Sequence, residues 1–501
     1  MTDMKKILQI FIKILCFGAL LFLALYLSCI VVENKSGYER YSGFFEEAGE
    51  DHLDMLFFGT SHVINGINPI QIYSETGFTS YNMGAYGSPM QATFWQMMLA
   101  LEKCNPKLIV VDSYMLEYDI RYQDDENANT TLDMQHFALD VYPISPMKVR
   151  ACRDLFQSKD IQREFLFNFI AYHDRWKELQ ENDFLRVVNK MPCNELMGAD
   201  PKYELHADPY VFNLNPDWTD LPSETVGTQY LRRMILECEK RGINIMVMSL
   251  PYNAQEMGQR ANYTAKKICE EYSVPYCDML TLTDLTDVNI DLSDSGHLNV
   301  LGMTKASSYF AKWLSDSGAA EEMGLIDHRG DPGYEKWDKA NEEYVDDVKH
   351  QAIDQKDLYA QLMMLSMSDE QYIIKINGST EVYYDKTFMR LIKNLYPESR
   401  IDEAASLDQP YFLIKTGEMV DDYVGFGEPK TWSVEVGELE YSPIVDNFQI
   451  LTVNGDTDTN YLYDDEHAYA DIRILFMGDP QDPIKKQVYY TCDHFEYTYD
   501  R

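Results

Sequence analysis

Residues 53–66 read LDMLFFGTSHVING. A mostly apolar run, Leu53 to Phe58, stops at Gly59 and hands the chain to Thr60, Ser61 and His62. That is the pattern of a buried strand running into a loop. Serine after glycine at a strand end is ordinarily turn chemistry. It becomes a nucleophile only where the rest of the chain supplies a base and a group to orient that base. Both the fold and the role of Ser61 therefore depend on the residues downstream of it.

Moving outward from this stretch, strands and helices alternate. Asn68-Pro69 predicts a helix cap with a first-turn proline, and Gly77 closes that helix. Thr79 to Met83 is a second strand, and Ser88-Pro89 opens a longer helix that ends before Pro106. KLIVVD, Lys107 to Asp112, is a third strand with the unbroken apolar centre of a buried parallel strand. Residues 120–222 break the rhythm and read as a mostly helical insertion, of the kind that shapes a substrate cleft or is plain structural elaboration. The rhythm resumes at Glu224 with a helix to Arg241, the strand INIMVMSLP, a helix, a short strand around VPYCDM and a final amphipathic helix. About five strands with helices between them predict a doubly wound parallel sheet. Residues 331–365 form a polar helical spacer. From Gln371 to the end, runs such as YFLIK, WSVEV and FQILTV predict a separate, mainly β domain interrupted by one helix.

The N-terminus carries a different signal. Ile14 to Val32 is nineteen residues without a charge, preceded by Lys5, Lys6 and Lys13. That length spans a bilayer core, and the positive flank places residues 1–13 in the cytoplasm and everything after residue 33 outside. No small-x-small cleavage site follows, so an uncleaved single-pass anchor is expected over a signal peptide. The chain holds 43 Lys and Arg against 82 Asp and Glu, a formal charge of −39. Such acidity excludes nucleic acid, which needs a basic footprint, and argues against attraction to an anionic lipid surface. The nine cysteines show no zinc spacing, so no metal site and no cofactor is expected. Cys269 and Cys277 are a candidate pair, but the odd count argues against a disulfide framework, and most cysteines are expected as small buried hydrophobes.

A serine nucleophile needs a histidine and a carboxylate at the same sheet edge. LSDSGHLNVLG supplies both: Asp294 and His297 lie three apart in the loop before the final helix. A tight turn there brings the carboxylate to Nδ1 and leaves Nε2 for the serine. Oxyanion donors are sought in the backbone N–H of Ser61 or its neighbour, and in TSYNMGAYGSPM, where Gly87 precedes a helix and Asn82 either donates or braces the loop. Turn formation alone also accounts for Gly84 and Gly87. His62 adjoins Ser61, but neighbours on an extended segment point apart, so it is expected to line the cleft or pack.

FFGTSH with Ser61, YNMGAYG with Gly87 and DSGHLN with Asp294 and His297 together resemble the SGNH (GDSL-like) hydrolase superfamily. The resemblance implies a flavodoxin-like three-layer α/β fold over residues 50–318, with a Ser-His-Asp triad. It departs at the third block, where VVDSYML places Asp112 and Ser113 instead of the family's asparagine. An ionised Asp112 would oppose an oxyanion, so a structural role is expected of it. The G-T-S-H form and the anchor resemble the extracytoplasmic DltD-like branch that acylates cell-envelope glycans. That branch implies a cell-surface glycan or teichoic-acid-type polymer as acceptor and a membrane-bound O-acyltransferase as partner. The rival expectation is a catalytically degenerate domain whose β module binds glycan or a membrane partner.

Overall fold

The computed structural model describes residues 2–33, 36–128, 130–188, 194–206, 210–445 and 448–500. The chain divides into two units. The first comprises residues 1–201, 212–286 and 303–340; the second comprises 202–211, 287–302 and 341–501.

The first unit is built on a five-stranded parallel sheet: β1 (Met55–Phe58), β2 (Ser80–Asn82), β3 (Leu108–Asp112), β4 (Asn244–Ser249) and β5 (Tyr276–Asp278), in the order β2-β1-β3-β4-β5. Every residue of β1, β2 and β3 is buried, as a parallel sheet covered on both faces requires. Register pairs Phe57 with Asn82 on one side and with Val110 on the other, so these strand ends finish together. Local caps form where the sequence places them. Asn68 accepts a hydrogen bond from Ile70 N, Pro69 opens the helix, and Gly77 ends it at φ +74°. Gly242 closes the helix Val226–Arg241 in the same left-handed conformation. Residues between 120 and 222 carry short helices, from Leu132–Leu139 to Glu181–Leu185, and no strand among the described residues.

The helix Thr2–Val32 contains a stretch, Lys6–Val32, long and apolar enough to cross a membrane. Behind it, Glu33 pairs with Arg186, and Arg175 Nη1 donates to Val32 O at 2.7 Å.

The second unit holds a six-stranded antiparallel sheet and a three-stranded one. The larger has β6 (Tyr372–Ile376) beside β7 (Tyr411–Thr416) and β8 (Met419–Val424) on one side, and β12 (Ile472–Met477), β13 (Ile484–Asp493) and β14 (Glu496–Asp500) on the other. The smaller comprises β9 (Lys430–Val434), β10 (Gly437–Val445) and β11 (Phe448–Val453). Ile373, Phe412 and Leu475 of the first meet Trp432, Leu439, Tyr441 and Leu451 of the second in one core. The polar stretch 331–365 contains two different helices. Glu335–Asp354 is largely exposed, whereas Leu358–Met367 is apolar and buried, and its Gln361 accepts from Tyr490 OH at 2.9 Å. A second helix, Ile401–Leu407, joins the expected Lys386–Leu395.

All eight described cysteines are free thiols, Cys269 and Cys277 included; Cys193 lies outside the described residues.

Candidate active site

In the first unit, Ser61 is the only residue between Leu53 and Ile70 that is not buried. Its setting explains this. A Cβ on Gly59 would lie 2.5 Å from Val63 Cγ2 and 3.0 Å from Asp112 Cβ, so only glycine lets the chain turn out of β1 here. Thr60 then caps the helix Ser61–Gly66, its hydroxyl accepting from His62 N at 3.2 Å. Ser61 falls on the first helical position, at the C-terminal end of a central strand, where open α/β sheets bind ligands.

His62 points away into packing. Its ring stacks on Tyr114 at 3.5 Å and meets the edge of Tyr252 at 4.9 Å. Tyr114 and Tyr252 also pack edge to face at 5.2 Å, so three rings wall the region beside Ser61.

Asn82 is fully buried with both amide hydrogens committed: Nδ2 donates to Val63 O at 2.6 Å and to Ile67 O at 2.8 Å. Its Oδ1 accepts from Gly84 N and from Arg40 Nη2, each at 3.1 Å. The buried Arg40 guanidinium also donates to Asn82 O at 2.9 Å and to Gly84 O, and Tyr41 OH reaches Gly84 O at 2.7 Å. Together these bonds clamp the loop after β2 to the short helix that begins at Ser61.

Further along that loop, Ala85 N donates to Gly59 O and Ser88 N to Ala85 O, closing a turn with Gly87 at φ +58°. A Cβ on Gly87 would lie 2.7 Å from Met134 Sδ, so the turn and the insertion together demand glycine. With Gly84, Ala85 and Ser88 N–H groups bonded within the loop, the Gly87 N–H is left without a protein partner among the described residues.

Asp112, the last residue of β3, is buried beside the turn at Gly59. Burial pushes its carboxyl up to about 7, against hydrogen bonds from the N–H groups of Leu250, Tyr114 and Ser113, and the nearby Glu117 adds to the rise. Its Oδ2 has no hydrogen-bond partner among the described residues. Burial pushes Glu117 up to about 7 as well.

In the second unit, residues 291–299 form a tight hairpin: Leu292 bridges Leu298, Ser293 N donates to His297 O at 2.9 Å, and Asn299 N donates to Asp291 O at 3.0 Å. Asp294 Oδ1 accepts from Gly296 N at 2.8 Å and His297 N at 3.0 Å, and both carboxylate oxygens lie 2.8 Å from His297 Nδ1. Partial burial raises the Asp294 carboxyl, but donation from Gly296 N, the His297 ring and His297 N outweighs it and leaves Asp294 below its usual range. The Nδ1 proton is thereby fixed toward Asp294, and Nε2 is the acceptor nitrogen of the ring. Asn299 comes next, its Oδ1 accepting from Leu301 N and Gly302 N at 3.1 Å, which starts the helix Val300–Asp316 directly after the hairpin.

Sequence reasoning missed Arg40, Tyr114 and Tyr252. Arg40 had only a weak signal, one arginine inside the aromatic run GYERYSGFF. Among the described residues no group of three or more His, Cys, Asp or Glu is placed to hold a metal ion. Compared with known proteins, the chain matches no family model and no curated sequence.

Proposed function

We propose that the protein is a membrane-anchored, extracytoplasmic serine acyl-esterase or O-acyltransferase of the SGNH type. Ser61 is the nucleophile, His297 the general base, and Asp294 the group that holds the imidazole in its tautomer. The observation that carries this reading is the exposure of Ser61 alone within a buried run of eighteen residues, at a strand end. The clasped Asp294–His297 pair supports it independently. So does the strand order β2-β1-β3-β4-β5, the order of flavodoxin-like three-layer sheets.

In the reaction, Ser61 Oγ attacks an ester carbonyl while His297 Nε2 takes its proton. The oxyanion is met by the N–H groups of Ser61 and Gly87. His297 then returns the proton to the leaving alcohol, and the acyl group passes to water or to a hydroxyl of a cell-surface glycan or teichoic-acid-type polymer. A membrane-bound O-acyltransferase is the partner suited to deliver the acyl group. Asn82 serves as the brace of the loop, since its amide hydrogens are already spent. Burial raises the Asp112 carboxyl to about 7, which lessens the negative charge it carries near neutral pH. A scaffold role for the β domain has less behind it: its most exposed aromatic side chains, Tyr384, Phe426, Tyr463, Tyr469 and Phe495, sit in turns and a short 3-10 helix, not on a strand face.

The test is a fluorophosphonate probe on the full chain. Ser61 is expected to carry the label, and His297→Ala to abolish labelling. Intact, folded protein with Ser61 unmodified refutes the triad.

A further inference from the structure

A second histidine–aspartate pair lies in the first unit, away from Ser61. On the helix Leu132–Leu139, His136 Nδ1 sits 3.0 and 2.9 Å from the two oxygens of Asp140, and Tyr172 OH donates to the same carboxylate at 2.9 Å. The His136 ring is stacked flat on Phe165 at 3.7 Å. Its Nδ1 proton is thus spent, and Nε2 is an acceptor with no protein partner among the described residues. His136 lines a cavity of about 280 Å³ whose wall also carries Tyr86, Asp133 and Tyr172.

That cavity adjoins a larger, mainly apolar groove of about 530 Å³, the two sharing Tyr38, Asp140 and Val141 as lining residues. One wall of the groove is the outer part of the membrane-length helix, Phe22, Tyr26 and Ile30; the facing wall includes Ile144, Leu166 and Phe167 of the insertion. Outside the span, Ile144 and Phe167 are 58 % and 54 % exposed, large apolar side chains left uncovered beside it.

We infer that this groove holds one hydrocarbon chain of a membrane lipid, with a neutral, hydroxyl-bearing head reaching the His136 cavity. The inference rests on the reading of Lys6–Val32 as a membrane span. It follows from continuity: the groove starts on residues of the span itself and ends at a polar, acceptor-rich cavity. A hydrocarbon chain with a polar head matches that sequence of surfaces. Three cations line the groove, but Arg186 is paired with Glu33, Lys148 Nζ donates to Tyr142 O at 2.8 Å, and Lys103 lies outside the His136 cavity. That cavity's own charged groups, Asp133 and Asp140, are acceptors and favour hydroxyl donors over a phosphate.

The experiment uses the full chain in lipid nanodiscs doped with either of two lipids bearing a diazirine on the acyl chain, a monoacylglycerol or a phosphatidic acid. Photolabelling is expected in the peptides carrying Val141–Ile144 and Leu166–Phe167, at least about threefold stronger for the monoacylglycerol. Ile144→Lys, at an exposed position, is expected to cut that labelling about fivefold or more, with label on Phe11–Leu21 from bulk lipid unchanged. His136→Gln, with folding checked by its melting temperature, is expected to erase the preference between the two lipids. Label confined to Phe11–Leu21, label insensitive to Ile144→Lys, or equal use of both lipids overturns the inference and leaves the membrane span standing. Absence of label from Phe11–Leu21, with release of the chain from membranes by alkaline carbonate, overturns both.

Discussion

Among the histidines whose Nδ1 is clasped by a nearby carboxylate, two sit in opposite settings. Asp294 and His297 occupy a hairpin loop, with side chains 56 % and 30 % exposed. His136 and Asp140 occupy a helix at i, i+4 and are 7 % and 6 % exposed. The clasp alone says only which nitrogen keeps the proton. What the other nitrogen can do depends on its surroundings: a partly exposed loop for the hairpin, a cavity lined by Tyr86, Asp133 and Tyr172 for the helix. Charge also differs between the settings. Removing a partner from an exposed pair returns the survivor to water, whereas removal from a buried pair strands it.

The largest expected effect separates the two pairs by activity. His297→Ala should lower hydrolysis of a short acyl ester at least about 10³-fold while moving the melting temperature by no more than about 1 °C. Unchanged turnover would break the assignment of the exposed pair to catalysis.

Asp112 extends the comparison to a buried carboxyl that has no imidazole at all. Its folded value, about 7, lies above the ordinary carboxylate value of 3.8. Below about pH 4 the group is neutral in both states and costs nothing. As pH rises toward 7 the unfolded chain ionises first, so folding is progressively disfavoured, by up to about 4 kcal/mol. Asp112→Asn removes that dependence. Urea unfolding at pH 4.5 and pH 8 should show the variant gaining on the parent by a few kcal/mol at the higher pH. A pH-independent difference would show that Asp112 is ionised where it lies.

The smallest effect is purely structural. His136→Ala leaves Asp140 with Tyr172 as its remaining side-chain hydrogen-bond partner and strips the stacked ring from Phe165. A loss of about 2 kcal/mol is expected in urea melts, against less than about 0.5 kcal/mol for His297→Ala. Equal losses would mean that the two settings are energetically alike, contrary to their burial.

Much of this was legible in the residues themselves. The apolar runs of β1, β3 and β4, the Asn68-Pro69 cap, the Gly77 and Gly242 stops and the membrane-length apolar helix are decided within a turn or a strand, where periodicity and backbone preference act. Asp294 and His297 belong to this class too, because a carboxylate three residues from an imidazole needs only one tight turn. The strand bounds came out shorter than the apolar runs by one or two residues at most ends. The buried helix Leu358–Met367 was hidden inside a stretch whose polar average suggested a spacer.

What no local pattern could disclose is which polar groups meet across long separations. Arg40 finds Asn82 and Gly84, over forty positions away; Asp112 finds the turn at Gly59; His62 finds Tyr114 and Tyr252; His136 faces a cavity walled partly by Tyr86. Each partnership exists because strand order places those segments side by side, and topology is a property of the whole chain. The residue sequence therefore settles which side chains are chemically able to act, through type and spacing. Burial and long-range pairing settle which of them are spent on holding the fold: Asn82 and Arg40 are consumed as braces, Asp112 has its carboxyl raised by burial, and Ser61 alone of its run is left part-exposed.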